Sequence, residues 1–482
     1  MIPFIFYSQL QFAIIMNKIL TLLLVFVITI PVISVCRQAG LTSATEPDTT
    51  RNIFEKGLDK IKLQKARHLY LINNYAEALD LYQALYKTSQ GNAMLSYRMA
   101  ECYYKMKHYE SAANHLEKAY RIAPDVHKEL HLLYGKALHR LDELERAQEH
   151  YETCKKQLEE AAKGAIKEAL GKNKLLIAEV DDLIERVQYA RELTQNPVNV
   201  TIENMGEVIN SPFEDYGPSL SADGKTMIFT SRRVGSKGGL MAPDHKYYED
   251  IYITTWNEEK NRWYIAEGIQ GRLNTDEHDA SLSISPDGTM IYVYKNIEGV
   301  TKSGDIYCSK LSSSGKWGAP RPLGKTINTT YFESHACVTA DAKTLFFISE
   351  RKNGFGRGDI YMAKRISRKE WSEPQNLGAR INTKGDEVSV YVTPDGNTLF
   401  FSSEGHKTMG GYDIFKSTYE DGKWTKPVNL GYPINTVGDD VHFVLGADGK
   451  KAYYSTFNPN EGLGERDIYE IDMTNYKGLV KK

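Results

Sequence analysis

The sequence predicts a multidomain α+β chain, a helical-repeat solenoid followed by an all-β ring of repeated four-stranded units. Two observations carry this. Residues 54–195 repeat a helical pattern every 34 or 35 positions, and residues 197–475 repeat a strand-and-turn pattern every 53 to 64 positions. Units of this size cannot bury their own apolar faces and must stack on their neighbours. The length of 482 residues corresponds to about three domains. Charged residues at 25% and hydrophobic residues at 41% exclude a wholly disordered or collagen-like chain. Lys+Arg 60 against Asp+Glu 62 leaves a net charge of −2, without the basic footprint that nucleic acid requires, so no nucleic-acid partner is expected. The five cysteines form no CxxC pair and no zinc spacing, which predicts neither a disulfide framework nor a bound cofactor.

Residues 1–36 read as a targeting segment. Residues 19–35 (ILTLLLVFVITIPVISV) are uncharged and follow Lys18, and Met16-Asn17-Lys18 reads as the true start. A short positive region, an apolar region and then small or polar residues make a secretory pattern. The run ends in Ile33-Ser34-Val35-Cys36. This resembles a lipoprotein signal and implies lipidation of Cys36, which would become the mature N-terminus; Val35 departs from the small residue usual there. Simple secretion and an uncleaved anchor are the alternatives. Pro31 and a run at the short end of the ~20 residues that span a bilayer weigh against the anchor. Residues 37–53 are polar and read as a linker.

In the helical module, residues 54–195, three segments align. NNYAEALDLYQAL carries Tyr75, Ala78, Tyr82 and Leu85; KHYESAANHLEKA carries Tyr109, Ala112, Leu116 and Ala119; DELERAQEHYETC carries Leu144, Ala147, Tyr151 and Cys154. The small residue lets the two helices of a hairpin approach, and the large ones fill the next groove. These segments resemble the tetratricopeptide repeat. Residues 155–195 continue as helix and should cap the stack. Tyr70, Tyr97, Tyr103 and Tyr104 read first as packing within the stack, with a concave peptide-binding surface as the alternative. Asn196-Pro197 breaks the helix and marks the boundary.

Residues 196–476 hold five β units. Their hairpin turns are Asp223-Gly224, Asp287-Gly288, Asp341-Ala342, Asp395-Gly396 and Asp448-Gly449. Gly takes positive φ in such turns, so Ala342 should strain its own. A second anchor is Asp-Ile-aromatic, at Asp250, Asp305, Asp359, Asp413 and Asp467. A third is Trp263, Trp317, Trp371 and Trp424, followed by Asn274, Asn328, Asn382 and Asn435. Four short strands at constant period predict a five-bladed propeller, with six blades as the alternative. The units resemble the TolB-like, WD-type propeller repeat, most fully in TPDGNTLFFSSEG, GGYDIF and KWTKPVNLGYPIN of the fourth unit. The fifth unit lacks an outer strand, and residues 198–206 should supply it, closing the ring and removing both sheet edges.

Eight residues before each turn Asp lies an acid: Asp215, Asp279, Glu333, Glu387 and Asp440. Each should head the innermost strand near the channel mouth. Arg232, Arg233, Arg351 and Lys352 should lie on the same face. The first unit carries an insertion there, since 27 residues separate Asp223 from Asp250 against 18 or 19 elsewhere. The acids read either as bonds that join blades or as a channel-mouth binding site formed by Asp215, Asp279, Glu333, Glu387 and Asp440 with Arg232 and Arg351. His335 and His442, two residues after their acids, could face the channel; they are weak evidence for a metal.

No GxSxG, HExxH or GxxxxGK[ST] motif occurs, so no catalysis is expected. The order of modules resembles the periplasmic scaffold subunit of type IX secretion and related peptidoglycan-associated proteins. Those carry a further OmpA-like domain, and only a short tail, residues 477–482, follows here. The resemblance implies a cell-envelope scaffold that faces the periplasm from the outer membrane, held by a lipid anchor and binding envelope proteins; a soluble secreted or periplasmic protein is the alternative location. A propeller that binds or cleaves polysaccharide at its channel mouth is the competing function.

Overall fold

The computed structural model describes residues 53–163, 167–237, 239, 246–297, 304–367, 370–458 and 462–479. The signal segment, Cys36 and most of the linker lie outside the described residues.

Among the described residues seven helices precede the strands: α1 (Ile53–Leu71), α2 (Tyr75–Thr88), α3 (Ala93–Lys105), α4 (Tyr109–Ile122), α5 (Leu130–Arg140), α6 (Leu144–Ala162) and α7 (Lys167–Gln195). The first six form three hairpins, each reversed by one left-handed residue: Asn73 (φ 62°), Lys107 (φ 64°) and Asp142 (φ 61°). The next N–H reaches back to Leu69, Tyr103 and Leu138, at 2.9, 2.9 and 3.0 Å. This satisfies carbonyls left over at the helix ends. Ala78, Ala112 and Ala147 are fully buried, and Tyr82, Leu116 and Tyr151 fill the grooves beside them. Gly135 presses on Tyr151, whose ring would stand 2.6 Å from any Cβ there. The helix expected through 155–195 is two helices, and α7 caps the stack with Val180, Val187 and Ala190.

The tyrosines belong to the packing. Tyr97 is buried against His127, with ring centroids 4.3 Å apart, and Tyr103 stacks on His115 at 5.4 Å. Tyr70 and Tyr104 meet Tyr75 and Tyr109 edge-on.

Five blades follow. Their innermost strands are β2 (Asp215–Leu220), β7 (Asp279–Ile284), β11 (Glu333–Val338), β15 (Glu387–Val392) and β20 (Val441–Leu445). Each lies against the next and β20 lies against β2, so the ring has five blades. The second strands are β3 (Thr226–Ser231), β8 (Met290–Lys295), β12 (Thr344–Ser349), β16 (Thr398–Ser403) and β21 (Lys451–Thr456). The third are β4 (Asp250–Asn257), β9 (Asp305–Lys310), β13 (Asp359–Lys364), β17 (Asp413–Glu420) and β22 (Asp467–Asp472). The outer strands are β5 (Arg262–Trp263) and β6 (Glu267–Gly268) in blade one, β10 (Arg321–Pro322) in blade two, β14 (Gln375–Asn376) in blade three, and β18 (Lys423–Trp424) and β19 (Val428–Asn429) in blade four. In the last sheet the outer position is taken by β1 (Thr201–Asn204), antiparallel to β22 with Thr201 opposite Asp472 and Asn204 opposite Tyr469. The chain thus closes its ring with its own N-terminal propeller strand. Trp263, Trp317, Trp371 and Trp424 are buried in apolar clusters. No helix among the described residues is long and apolar enough to cross a membrane.

Ala342 occupies the turn position with φ 52°, where the four sister turns have Gly at 67–76°. A Cβ in this region costs roughly 1–2 kcal/mol. Ala342→Gly should therefore raise stability by about 1 kcal/mol, less the extra chain entropy that Gly loses; a denaturant midpoint that falls instead would contradict the turn geometry.

Candidate functional site

Four of the five acids head their innermost strands and Asp440 immediately precedes β20; all five side chains are fully buried. The residue four positions earlier donates both its N–H and its hydroxyl. These bonds measure 2.6 and 2.6 Å from Ser211 to Asp215, 2.7 and 2.6 Å from Thr329 to Glu333, and 3.2 and 2.8 Å from Thr383 to Glu387. They measure 2.6 and 3.0 Å from Thr436 to Asp440, and Thr275 serves Asp279 likewise. Each acid's backbone N–H donates to the preceding blade, at 2.8–3.2 Å, onto the carbonyls of Arg466, Glu249, Gly304, Gly358 and Tyr412. The carboxylates stand at blade junctions, inside the wall of the ring.

One residue further upstream an Asn clamps the preceding blade. Asn274, Asn328, Asn382 and Asn435 each accept from and donate to the backbone of Ile251, Ile306, Ile360 and Ile414. Asn210 does the same to Ile468. Sequence reasoning missed this fifth copy because Ser211 stands where the others have Thr; the constant offset from the acid was the available signal. The aspartates of the Asp-Ile-aromatic motif tie the loop before them to the outer strand: Asp359 accepts from the Phe355 N–H (2.6 Å) and from Asn376 (2.7 Å), and Asp413 from the Met409 N–H (2.9 Å) and Asn429 (2.7 Å).

Three acids have a cation. Arg233 meets Asp215 at 2.6 Å, Lys295 meets Asp279, and Arg351 stands 3.8 Å from Glu333. Arg233 and Arg351 occupy one repeat position and lie over Tyr252 and Tyr361, at 4.4 and 4.9 Å from the ring centres. Arg232 is buried apart from the acid ring: it donates to the Tyr247 carbonyl at 2.7 Å, near Glu214 and Glu249. Lys352 is exposed. Glu387 is served by neutral donors, and burial pushes its carboxyl up to about 7.

The channel axis holds aromatic rings. A bulge in β11 and another in β20 give His335 and His442 positive φ, 37° and 60°, where blade one has Gly217. Such a bulge re-aims the side chain. The two imidazoles come from blades three and five, which are not neighbours, yet their centroids are 4.8 Å apart. Tyr216 of blade one stacks 5.7 Å from His442. These rings span the lumen. Burial lowers His335 to about 4 and also holds His442 well below the usual imidazole range, His335 and Arg466 adding to the effect on His442.

The helical stack docks on the same face of the ring, over blades four and five. Asp439 receives Arg140 at 2.7 Å and Lys107 at 2.8 Å. Burial alone would raise its carboxyl; Arg140, Lys107 and Arg466 hold it well below the usual range. Arg186 of α7 donates to Thr408, Gly410 and Glu404, and His139 to the Met409 carbonyl at 2.8 Å. Met409 and Val437 join the apolar cluster of the helices. Beside this junction opens a cleft of about 640 Å³, lined by Tyr109, Ser111, Tyr432, Phe457, Glu214 and Arg466 among others. Neither docking nor cleft was legible in the sequence, where no motif singles out Arg140, Arg186 or Asp439.

Residues 53–195 form a tetratricopeptide-repeat stack and residues 201–476 a five-bladed propeller. Residues 73–116 match the sequence model of the tetratricopeptide repeat. No curated protein matches the chain. Among solved structures, TolB from Acinetobacter baumannii is 14% identical, covering 56% of this chain and 57% of that one, with a TM-score of 0.33. The chain thus spans a little over half of that structure. The Yersinia enterocolitica type III secretion chaperone SycD, in complex with a peptide of the translocator YopD, is 16% identical over 29% of this chain and 99% of that one, TM-score 0.25. An α-L-arabinofuranosidase from Podospora anserina, in complex with cellotriose, is 14% identical over 56% and 92%, TM-score 0.35.

Two outcomes follow from the charges. The folded state holds a proton on Glu387 that the unfolded chain has released, so stability should fall as pH rises from about 4.5 to about 7. The loss is on the order of 2–3 kcal/mol. Glu387→Gln should flatten this slope in denaturant titrations at several pH values; an unchanged slope would assign the proton elsewhere. Asp439→Asn leaves Arg140 and Lys107 without their anion, a cost of about 3–5 kcal/mol. It should free the helical stack from the ring and expose residues 195–200 to limited proteolysis, whereas unchanged resistance would show that the apolar contacts suffice.

Proposed function

We propose that the protein is a non-catalytic adaptor of the cell envelope, facing the periplasm from an outer-membrane lipid anchor on Cys36 and binding envelope proteins during secretion or outer-membrane and peptidoglycan assembly. The observation that supports this best is the aromatic closure of the channel. Tyr216, His335 and His442 take up the lumen that a polysaccharide would need. The larger open surface is the cleft between two repeat scaffolds, whose aromatic and oppositely charged lining suits a polypeptide segment. Firm docking of helices on propeller fixes both scaffolds in one geometry, which lowers the ordering cost of binding a partner across them.

The test is affinity purification of the tagged full chain from cross-linked, detergent-solubilised envelope. Ser111→Arg places a long cation in the cleft and should reduce recovery of the partner proteins at least about tenfold, a loss of roughly 1.4 kcal/mol. Cys36→Ser should shift the chain out of the membrane fraction. Equal recovery with the cleft blocked, and the Cys36 variant still membrane-bound, would overturn both halves of the reading.

A further inference from the structure

We propose that Asp413, Asp440 and Thr456 form a binding site for a hard divalent cation at the junction of blades four and five. Asp413 and Asp440 are fully buried and Thr456 is 3% exposed. One oxygen of each, Asp413 Oδ1, Asp440 Oδ1 and Thr456 Oγ1, has no hydrogen-bond partner in the protein. The second oxygens of the carboxylates are spent on Met409, Asn429 and Thr436. The Thr456 hydroxyl faces Asp440 and favours its charged form, but no hydrogen bond of ordinary geometry joins Thr456 Oγ1 to Asp440 Oδ1. The Asp440 N–H donates to the Tyr412 carbonyl, which brings the two carboxylates to the same seam. Unpaired buried carboxylate oxygens are costly, and a cation is one of the few groups that answers two of them at once.

The sister junctions show what answers elsewhere. Lys295 stands sixteen residues after Asp279, and Thr456 sixteen after Asp440. Lys295 therefore puts its ammonium on the acid of blade two at the position Thr456 fills in blade five. Arg233 and Arg351 serve blades one and three. At blade four, neutral donors saturate both groups: Ser403 and Thr383 on Glu387, and Phe355, Gly356 and Asn376 on Asp359. The junction of blades four and five has neither solution.

Neighbouring cations are engaged. Arg186 bonds Asp182, Thr408, Gly410 and Glu404, and Arg140 and Lys107 bond Asp439. Thr456, Thr436 and Met409 also line the cleft, which gives an entry route and room for water. Among the described residues no three His, Cys, Asp or Glu side chains converge, so water must complete the shell. Two carboxylates and a hydroxyl with several waters is an arrangement that suits Mg²⁺ and, with a fuller shell, Ca²⁺.

The test uses the full chain in detergent at pH 8 and constant ionic strength, with EDTA, MgCl₂ or CaCl₂. Wild type should melt roughly 5 °C higher with one of the two cations at about 100-fold its Kd, and calorimetric titration should give one site per chain. Asp440→Asn should abolish both effects. Thr456→Lys installs the ammonium of the sister blade. It should melt in EDTA at least as high as wild type does and no longer respond to cation. Absence of binding by either cation in the wild-type titration overturns the proposal, as does a cation response that survives in Thr456→Lys. Stability that depends on pH but not on cation would assign a shared proton to Asp413 and Asp440 instead, and would equally overturn it.

Discussion

A buried carboxylate at each blade junction is the constraint on which the ring depends. A propeller blade is a small twisted sheet, and only its two neighbours cover its faces. Each junction must therefore fix both distance and register. Here a six-residue segment does so: Asn clamps the third strand of the preceding blade, Ser or Thr holds the acid, and the acid's own N–H bonds back across the junction. The apolar clusters fill the space between blades, but the polar segment decides where each blade sits.

The same motif is answered by different charges around the ring, and sterics explain part of the asymmetry. Arg233 and Arg351 lie eighteen residues after their acids. The corresponding residue in blade four is Gly405, where a Cβ would stand 1.8 Å from the Thr383 hydroxyl and collide with Gly385. No side chain fits, so an arginine is excluded. The loop pressed down in this way, 404–412, is also the one that receives Arg186 and His139 of the helical stack. The close loop and the missing cation are thus two sides of one packing choice.

Repeats were legible because each copy tests the others. The turns, the Asp-Ile-aromatic strands and the Trp positions all sit at fixed offsets and leave little freedom in register, so the missing outer strand of the fifth unit could be assigned as well. The helical signature was legible for the same reason, since Ala78, Ala112 and Ala147 must all be small. What the sequence hides is what occurs once. Asp439 shares its place one before the acid with Glu214 and Asp386, yet it is the one that Arg140 and Lys107 meet, and a single charge on a predicted helix or loop looks the same whether it meets water or a buried partner. Arg232 illustrates the opposite error: adjacent to Arg233 in sequence, it points to Tyr247 and shares none of that residue's role.

Docking of the helices redistributes the surface of the propeller. A free ring would offer the whole face around the acid-bearing loops. Here the sector of blades four and five is covered by the α5–α7 region, and the lumen is crossed by Tyr216, His335 and His442. Two positive-φ histidines are an unfavourable choice for an inner strand, since glycine serves at the same position in blade one. Their backbone strain is offset by ring packing that only a filled channel provides. With these rings on the channel axis and one sector roofed, the larger concavity lies at the seam between modules, and a smaller one of about 240 Å³ remains beside Tyr216, Ala280 and Tyr294. At that seam the surfaces of both modules and the blade-four and blade-five carboxylates lie within reach of a single ligand.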